Sequence, residues 1–461
     1  MRLDRRAFLA AGLAGSAVLA GCTDEEPSET NGDPGSGSGS GAETPVPDAD
    51  YDRSVEHDLE AWDGYDPDWE PPADVPPTNV EVETVVEGLE VPWDIAVAPD
   101  GDLFVSERVG RIVQYDSEEL AEVTVPGDVI DHADSIAPGE EDGWWEGGSE
   151  GGLMGIAVHP RYPDVPLVYA VYTYQAGEEE YRNRVVHYDV SADDPGETET
   201  VVVDAIPGHR IIHNGSRIAF GPANYLWVTT GDADELDLPP DPNSLAGKVL
   251  RLEPDGSPAP DNPDLGGDDR VFSVGHRNPQ GITFLPDGSP VTTEHGPAAR
   301  DEVHVLRPGD DHGWGPEEEA ARDGGTYPET DFARPVAHSG TDHTWAPSGC
   351  VFTTSDAPES FRRRLLFGGL ISQQVTVGTI YPRDGEVTPD ADGGERHDAD
   401  WTDEEYDAVT HALLEDELGR VRHVEEGPDG SLYALTSNRD GRAEGDFPIE
   451  ADDRIVRISP R

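Results

Sequence analysis

The sequence predicts an all-β fold, specifically a six-bladed β-propeller of four-stranded antiparallel blades. After residue 79, a turn followed by a short apolar strand recurs six times, about 61 to 72 residues apart. A second apolar strand precedes the turn, as in residues 155–158 and 281–284. These two strands, with room for two more, make a four-stranded sheet that cannot bury both faces alone, so the units must stack. Six units arranged around an axis form a ring with short, protected edges.

The recurring turn begins with proline in every instance, and three of the six turns read Pro-Asp-Gly, which supplies the geometry of a hairpin turn. The alternative is a generic all-β chain with recurring turns. The near-regular spacing favours the propeller. The leading prolines are Pro99, Pro160, Pro222, Pro286, Pro358 and Pro428.

The charge balance excludes several classes of partner. Among 461 residues, 97 are acidic and 31 are Lys or Arg, which gives a formal net charge of -66. A surface this negative repels nucleic acid and anionic lipid headgroups. Hydrophobic residues make up only 35% of the chain, but they are concentrated in strand-like runs, which indicates a folded body. An acidic excess of this size suggests adaptation to molar salt, so we expect a halophilic protein.

Residues 1–22 are predicted to be an export signal. Arg5 and Arg6 resemble the paired arginines of a twin-arginine signal, and a stretch rich in Ala, Gly and Leu follows them. The segment ends in Leu-Ala-Gly-Cys, which resembles a lipoprotein processing site with Cys22 as the lipidated residue. The alternative is a plain signal peptide with an incidental Cys. The first interpretation predicts a protein held at the outer face of the cytoplasmic membrane, in contact with the membrane only through this lipid.

The rest of the chain divides into a linker and a body. Residues 23–78 form an acidic linker rich in Gly, Ser and Pro, and residues 79–461 form the propeller domain. Trp62, Tyr65 and Trp69 indicate that part of the linker lies on the body. With Cys22 lipidated, Cys350 has no disulfide partner, so it is predicted to be a small buried apolar residue.

Loops at one end of a propeller channel converge, so residues that act together should recur at intervals near the repeat length. His213 precedes one strand and Asp232 ends the next, and a returning hairpin would bring the carboxylate close enough to orient the imidazole. Structural roles are the alternative, because an Asp near a His is common among 97 acids. The polar clusters are residues 149–155, 212–217 with 231–232, 275–281, and 294–297 with 301–302 and 312–315.

Taken in order, these clusters resemble the soluble aldose sugar dehydrogenases that use pyrroloquinoline quinone (PQQ), six-bladed propellers of the glucose/sorbosone dehydrogenase type. The matching phrases are His-x-Gly-x-Arg followed by Gly-Asp, then Gly-x-Arg-Asn-Pro-Gln-Gly, then Glu-His-Gly-Pro, then Asp-Glu and Gly-Trp. The resemblance extends from about Thr84 to Ser459. Each phrase alone is weak evidence, but the ordered set is specific.

The resemblance implies a role for each matching residue. His213 would be the general base for the anomeric hydroxyl, Asp232 would orient it, and Arg277 would polarise the quinone carbonyl that receives hydride. The remaining implied ligands fall into two groups. Cofactor contacts would come from Glu150, Arg277, Asn278, Gln373, Arg420 and Arg422. Calcium contacts would come from the backbone carbonyls of Gly296 and Pro297 at one Ca²⁺, and from Glu302 with the backbone carbonyl of His312 at a second, structural Ca²⁺.

Two positions depart from the family pattern. Glu150 stands where relatives have a glutamine before Gly-Gly-Leu, and Gln373 lies in the segment where relatives have a cofactor-contacting lysine. Both changes make the site more negative than the family pattern.

The sequence therefore predicts PQQ-dependent oxidation of aldoses at the anomeric carbon to lactones, with electrons passed to an external acceptor. A quinone-free propeller that acts as a carbohydrate-binding or cell-surface module is one alternative, and a calcium-dependent lactonase is another. The sequence leaves the particular sugar, the natural acceptor and possible dimerisation undetermined.

Overall fold

Six antiparallel sheets surround a central channel in the structure, a computed structural model that describes residues 51–130, 150–316, 331–354 and 356–461. The innermost strand of each sheet contacts the innermost strands of both neighbouring sheets, and the last sheet contacts the first. Hydrophobic clusters of buried residues fill the spaces between neighbouring sheets, so stacking covers the faces that one sheet leaves open. The prediction of a six-bladed β-propeller is confirmed.

The strands follow the predicted repeat, with the innermost strand first in each blade. Blade 1 contains β2 Pro92–Val97, β3 Leu103–Glu107, β4 Arg111–Tyr115 and β5 Leu120–Thr124. Blade 2 contains β6 Leu153–Val158, β7 Leu167–Gly177, β8 Glu180–Asp189 and β9 Thr200–Gly208. Blade 3 contains β10 Gly215–Phe220, β11 Leu226–Thr230, β12 Lys248–Leu252 and β13 Val271–Ser273.

The other three blades complete the ring. Blade 4 contains β14 Pro279–Phe284, β15 Pro290–Glu294, β16 Glu302–Val305 and β17 Ala337–His338. Blade 5 contains β18 Pro347–Phe352, β19 Leu365–Gly369, β20 Val375–Pro382, β22 Tyr406–Leu413 and β21 Glu395–His397. Blade 6 contains β23 Val421–Glu426, β24 Leu432–Thr436, β25 Arg454–Pro460 and β1 Val80–Glu87.

Two details differ from a uniform four-stranded repeat. Blade 5 has five strands, because the short strand β21 pairs with β22 at the outer edge. Blade 6 combines the two ends of the domain, because β1 pairs along its length with β25. The described helical segments are 3-10 turns, namely Leu59–Ala61, Pro195–Thr198, Pro222–Asn224 and Glu359–Phe361.

Residues 51–78 lie along the surface of the propeller and contact the hairpin turns of several blades. At the blade 3 turn the ring of His57 stacks on Tyr225, with 4.1 Å between centroids. Further along, Asp66 pairs with Arg363 at 2.6 Å in blade 5, and Trp69 is buried against Phe352. The expectation from the aromatic residues of this stretch is met, whereas the signal, Cys22 and residues 23–50 of the linker lie outside the described residues. Within the described part, no helix combines the length and apolar character that crossing a membrane requires.

Candidate active site

The loops that precede the innermost strands meet at one end of the channel, and they carry most of the predicted catalytic and cofactor residues. Each loop is held in place because the strand that follows it is buried in the ring. The residues concerned are Glu150 before β6, His213 before β10, Arg277 and Asn278 before β14, and Arg420 before β23, with Arg422 on β23 itself.

His213 and Asp232 form a hydrogen-bonded pair, as the hairpin of β10 and β11 predicts. The Nδ1 atom of His213 lies 2.8 Å from Oδ1 of Asp232, and the indole N–H of Trp314 donates to Oδ2 of the same carboxylate at 2.7 Å. Asp232 is 1% exposed and Trp314 is 3% exposed. The carboxylate is therefore fixed from two sides, and it directs Nε2 of His213 away from itself.

The close approach of these two segments depends on local glycines. His213 has φ of 56° and Gly215 has φ of 62°, both in the left-handed region. A Cβ at Gly215 would lie 2.6 Å from the backbone nitrogen of Gly231, and a Cβ at Gly231 would overlap the carbonyl oxygen of His213. The strained backbone at His213 is stabilised by this packing, a situation that is common at functional sites.

A cavity of about 300 Å³ opens beside Glu150, whose carboxylate contacts the backbone of His213; His213 and Asp232 are not among its lining residues. Three arginines and two glutamates supply the charges of its lining, and Leu370 and Ile371 form an apolar side. The full lining consists of Glu150, His295, Ala346, Leu370, Ile371, Gln373, Arg420, Arg422, Arg442 and Glu444. Four predicted cofactor residues therefore line one cavity.

A single carboxylate organises the arginines of this cavity. Oδ2 of Asp440 accepts hydrogen bonds from Nε and Nη2 of Arg420 at 2.9 and 2.7 Å, and it lies 3.5 Å from Nη2 of Arg422. The Oδ1 atom of Asp440 accepts from the backbone N–H of Arg442 at 3.0 Å. Burial raises the pKa of Asp440, but Arg420, Arg422 and Arg108 outweigh it and lower that pKa overall. Asp440 is therefore ionised.

Glu150 joins the histidine to the cavity. Its Oε2 accepts the backbone N–H of His213 at 3.1 Å, and its Oε1 accepts from Nη1 of Arg442 at 3.0 Å. Burial opposes ionisation, but Arg442, His213 and His295 together lower the pKa of Glu150 to about 2. The extra negative charge noted in the sequence is thus balanced by an arginine from the blade 6 loop.

Arg277 and Asn278 link the cavity wall to the histidine loop. Nη1 of Arg277 donates to the carbonyl of His295 at 3.1 Å, and Oδ1 of Asn278 accepts the N–H of Gly215 at 2.9 Å. Burial lowers the pKa of Arg277 and lowers that of the neighbouring His295 to about 3. His295 is therefore neutral at physiological pH.

Sequence reasoning missed Asp440, Arg442 and Arg108. A signal was present for the first, since an acidic residue ends or follows the second strand in four blades: Glu107, Asp232, Glu294 and Asp440. Gln373 lines the cavity as predicted, but its Nε2 donates to the carbonyl of Glu444 at 3.5 Å, a weak contact at the rim. Arg442 had no such signal, because its loop contains no recurring phrase.

Comparison with known proteins identifies the family of this chain. Residues 89–445 match the model of the family described as Glucose / Sorbosone dehydrogenase. The chain belongs to this family. The glucose/sorbosone dehydrogenase match covers five of the six blades completely and two of the four strands of the sixth.

Three relatives show what members of the glucose/sorbosone dehydrogenase family are called. Aldose sugar dehydrogenase YliI of Escherichia coli is 26% identical over 84% of this chain and 94% of its own length. Quinoprotein glucose dehydrogenase B of Acinetobacter calcoaceticus is 27% identical over 51% of this chain and 52% of its own. The PQQ-bound structure of the Streptomyces coelicolor aldose sugar dehydrogenase is 31% identical, with a TM-score of 0.62 over 84% of this chain and 99% of its own.

The residues present in this member of the family fit an anionic quinone. PQQ carries three carboxylates, and the cavity presents three guanidiniums. Four buried donor or ring nitrogens near the site have no hydrogen-bond partner among the described residues: Nε of Arg277, Nδ2 of Asn278, Nε2 of His295 and Nε of Arg422. Buried polar atoms of this kind are usually satisfied by a ligand or water.

The predicted primary calcium position has oxygen atoms but no cluster of carboxylates. Pro297 offers a carbonyl that already accepts the N–H of Ala299 at 2.8 Å. Asp301 is fully engaged, because Oδ1 accepts the N–H of Gly296 at 3.0 Å and Oδ2 accepts three donors from the segment Thr344–Ala346. The described residues contain no group of three or more His, Cys, Asp or Glu side chains that could hold a metal. We therefore assign calcium no step in the chemistry.

The predicted second calcium position is rich in nitrogen. Nε2 of His304 lies 3.2 Å from Oε2 of Glu302, and Nδ1 of His304 lies 3.2 Å from Nδ1 of His312. His276 stacks on His312 with 4.2 Å between centroids. The predicted calcium ligand at residue 312 is the backbone carbonyl, which these ring contacts do not involve, so the second calcium site stays a prediction.

Proposed function

We propose that this protein is a PQQ-dependent aldose dehydrogenase that oxidises the anomeric carbon of a sugar to the lactone. The observation that supports it most directly is the His213–Asp232 hydrogen bond beside an arginine-lined cavity. The names of the relatives agree with this chemistry, and the family is one of oxidoreductases.

His213 is the proposed general base. The N–H of Nδ1 donates a hydrogen bond to Asp232, so Nε2 of the neutral ring carries a lone pair that can take the proton of the anomeric hydroxyl. As the O–H bond breaks, a C=O bond forms at the anomeric carbon, and the hydrogen on that carbon leaves with its electron pair. The resulting imidazolium is stabilised by the Asp232 carboxylate, which Trp314 keeps in place.

The arginines bind and orient the cofactor in this proposal. Arg420 and Arg422 are held by Asp440, so their guanidiniums are fixed before any ligand arrives and lose little entropy on binding. When bound, PQQ supplies the carbonyl that accepts the hydride and its electron pair. Arg277, held by the carbonyl of His295, is the residue proposed to stabilise the negative charge that develops there. Gly296 and Pro297 remain the proposed carbonyl ligands of a Ca²⁺ ion, and an external acceptor would reoxidise the cofactor.

Reconstitution tests the proposal. Purified protein in molar salt would receive PQQ with Ca²⁺, and dye reduction would be measured against a panel of aldoses. We expect reduction that needs both the quinone and an aldose with a free anomeric hydroxyl. Absence of quinone binding would refute the proposal and favour a quinone-free binding module; lactone hydrolysis without dye reduction would favour a calcium-dependent hydrolase.

We also propose that the protein is exported and anchored through Cys22. The experiment compares wild type with a Cys22→Ser variant expressed in its own host, by fractionation. Wild type should sediment with membranes, and the variant should be released. Equal distribution of both would refute lipid anchoring.

A further inference from the structure

The two buried arginines of the cavity share one carboxylate unequally. Oδ2 of Asp440 accepts two hydrogen bonds from Arg420, at 2.9 and 2.7 Å, and it lies 3.5 Å from Nη2 of Arg422. One carboxylate therefore faces two guanidiniums and lies closer to Arg420. The excess positive charge of these three side chains is thus carried mainly by Arg422, because an ion pair weakens with distance.

The closest partner of Arg422 is an uncharged amide. Its Nη1 donates to Oε1 of Gln280 at 3.0 Å, and both residues are 2% exposed. A guanidinium has donors only, so the amide oxygen is the atom of Gln280 that must face it. The hydroxyl of Ser348 donates to the same oxygen at 3.3 Å, which supports this orientation of the amide. Gln280 therefore fixes the direction of the guanidinium without neutralising its charge.

Gln280 is itself fixed by the ring of blades. It lies on β14 in blade 4, whereas Arg422 lies on β23 in blade 6, so their contact joins the two blades on either side of blade 5. The backbone carbonyl of Gln280 accepts a hydrogen bond from Nε of Arg217 on blade 3 at 2.9 Å. The position of the amide is therefore set by three innermost strands rather than by a loop.

Arg422 retains capacity to bind an anion. It lines the active-site cavity, and its Nε is a buried donor with no hydrogen-bond partner among the described residues. Burial lowers the pKa of Arg422 to about 9, and the Asp440 carboxylate only partly offsets this effect. A buried guanidinium that is incompletely neutralised gains more from a ligand carboxylate than one that already has a close counter-ion.

We propose that Gln280 is a positioning residue of the cofactor site: it holds Arg422 through an uncharged oxygen, so that the charge of this guanidinium stays available to a carboxylate of the quinone. This inference rests on the proposed function. A glutamate at position 280 would bring a second carboxylate to the two arginines and complete their neutralisation. The cavity would then lose much of the charge that attracts a polyanion.

Two substitutions of Gln280 separate charge from packing. PQQ affinity would be measured through the quenching of tryptophan fluorescence, at fixed Ca²⁺ and molar salt, where a buried contact is screened little. Gln280→Glu should weaken binding about 10- to 100-fold, the usual effect of losing a hydrogen bond to a charged group. Gln280→Met should weaken it only about three- to ten-fold, because Arg422 loses an orienting contact but keeps its charge.

Melting temperatures without cofactor should rank the same two variants in the opposite order. Gln280→Glu retains an acceptor for Arg422 and should melt no lower than Gln280→Met, which leaves Nη1 without that acceptor. If Gln280 only supported the fold, affinity would follow stability, and Gln280→Met would bind PQQ more weakly than Gln280→Glu. That order of affinities would overturn the inference.

A matched substitution controls for the added negative charge. Gln114 lies on β4 of blade 1, away from the cavity, and its Nε2 donates to Oδ2 of Asp102 at 2.6 Å. Gln114→Glu should leave PQQ affinity within about two-fold of wild type. A loss as large as that of Gln280→Glu would attribute the effect to overall charge and would overturn the inference.

The remaining outcomes distinguish this inference from the proposed function. Wild type that binds no PQQ would overturn both. Wild type that binds, with Gln280→Glu and Gln280→Met within two-fold of it, would overturn the role of Gln280 alone. If Gln280→Glu does not fold, Gln280→Met decides: a three- to ten-fold loss supports the role of Gln280, and affinity within two-fold of wild type overturns it.

Discussion

The two ends of the channel use the same residue types for different purposes. At the candidate active site, three arginines and two glutamates line a cavity of about 300 Å³. At the opposite end, a cavity of about 200 Å³ has one arginine, Arg217, against three carboxyl groups, Asp94, Glu425 and Glu426. One end therefore attracts a polyanion and the other repels it.

The position of these residues along the chain accounts for the difference. At the active-site end most of the charged residues lie on loops, before an innermost strand or after β24, whereas at the opposite end they lie within the innermost strands. Arg217 on β10 is ion-paired with Asp94 on β2 and stacks on Trp93, 4.0 Å from the ring centroid. This ion pair joins blade 1 to blade 3, on either side of blade 2, and its burial leaves little freedom to exchange partners. The charged groups at this end therefore hold the ring together, whereas those at the other end line an open cavity.

The largest expected contrast is in kcat, between substitutions of His213 at the candidate active site and of His423 at the opposite end. His213→Gln should lower kcat by about 10²- to 10⁴-fold, the usual contribution of a general base, while PQQ binding is retained. His423→Gln, at the opposite end, should leave kcat within about two-fold, because His423 contacts Glu425 at 3.1 Å and lies away from the active-site cavity. Steady-state kinetics with parallel PQQ titration makes the measurement. Equal kcat losses in both variants would contradict the division of roles.

The buried ion pair at the opposite end should dominate stability. Arg217→Met leaves Asp94 buried without its partner, at a cost of about 3–5 kcal/mol in the free energy of unfolding. Arg457→Met removes an exposed ion pair with Glu83, whose side chains are 41% and 74% exposed, so little change is expected. Denaturant titration checks both variants. Equal stability of the two would mean that the channel pair does not hold the blades together.

Substitutions at two glycines test whether the protein can lose stability without losing catalytic activity. Gly349→Ala would place a Cβ against the ring of His423 and 2.7 Å from Nη2 of Arg217, which should cost about 1–3 kcal/mol by overpacking. Gly127→Ala is the control, because nothing lies within 4 Å of its Cβ position. Thermal melts should show a loss only for Gly349→Ala, with kcat preserved at temperatures where it remains folded.

The smallest expected effect is on the pH dependence of stability, with opposite signs at the two ends. Burial raises the pKa of Glu425 from 4.5 to about 7, so its stabilisation is complete below pH 4.5 and is lost as pH rises towards 7. The pKa of Glu150 is about 2, so its stabilisation is present above pH 4.5 and is lost as pH falls towards 2. The side chain of Glu425 is 27% exposed to water, which limits the size of its pH effect on stability.

Melting temperatures of two variants test these signs. At pH 8, Glu425→Gln should melt above wild type and Glu150→Gln below it. Both differences should shrink as the pH is lowered below 4.5. A Glu425→Gln variant that melts below wild type at pH 8 would show that this carboxylate is stabilised in the folded state.

Much of the fold and part of the site were predictable from the sequence. The proline turns marked the blades because hairpin geometry is local, and the His213–Asp232 contact followed because one hairpin joins the two residues. The fifth strand of blade 5 was not predictable, because β21 is only three residues long and pairs outside the repeat.

Contacts between blades could not be predicted from the sequence, for a different reason. The Arg442–Glu150 pair joins loops 292 positions apart, and neither residue belongs to a hairpin that would show their proximity. Long-range partners of this kind depend on ring closure, which no local pattern encodes.

The composition of blade 6 has a consequence for biosynthesis. Strand β1 is synthesised more than 360 residues before its partner β25. Until β25 has been synthesised, the ring has a gap and two open sheet edges, which are prone to wrong pairing. A chain truncated at residue 450 would lack β25 and leave β1 and β24 separated. The ring can therefore close only after β25 has joined β1 to β24.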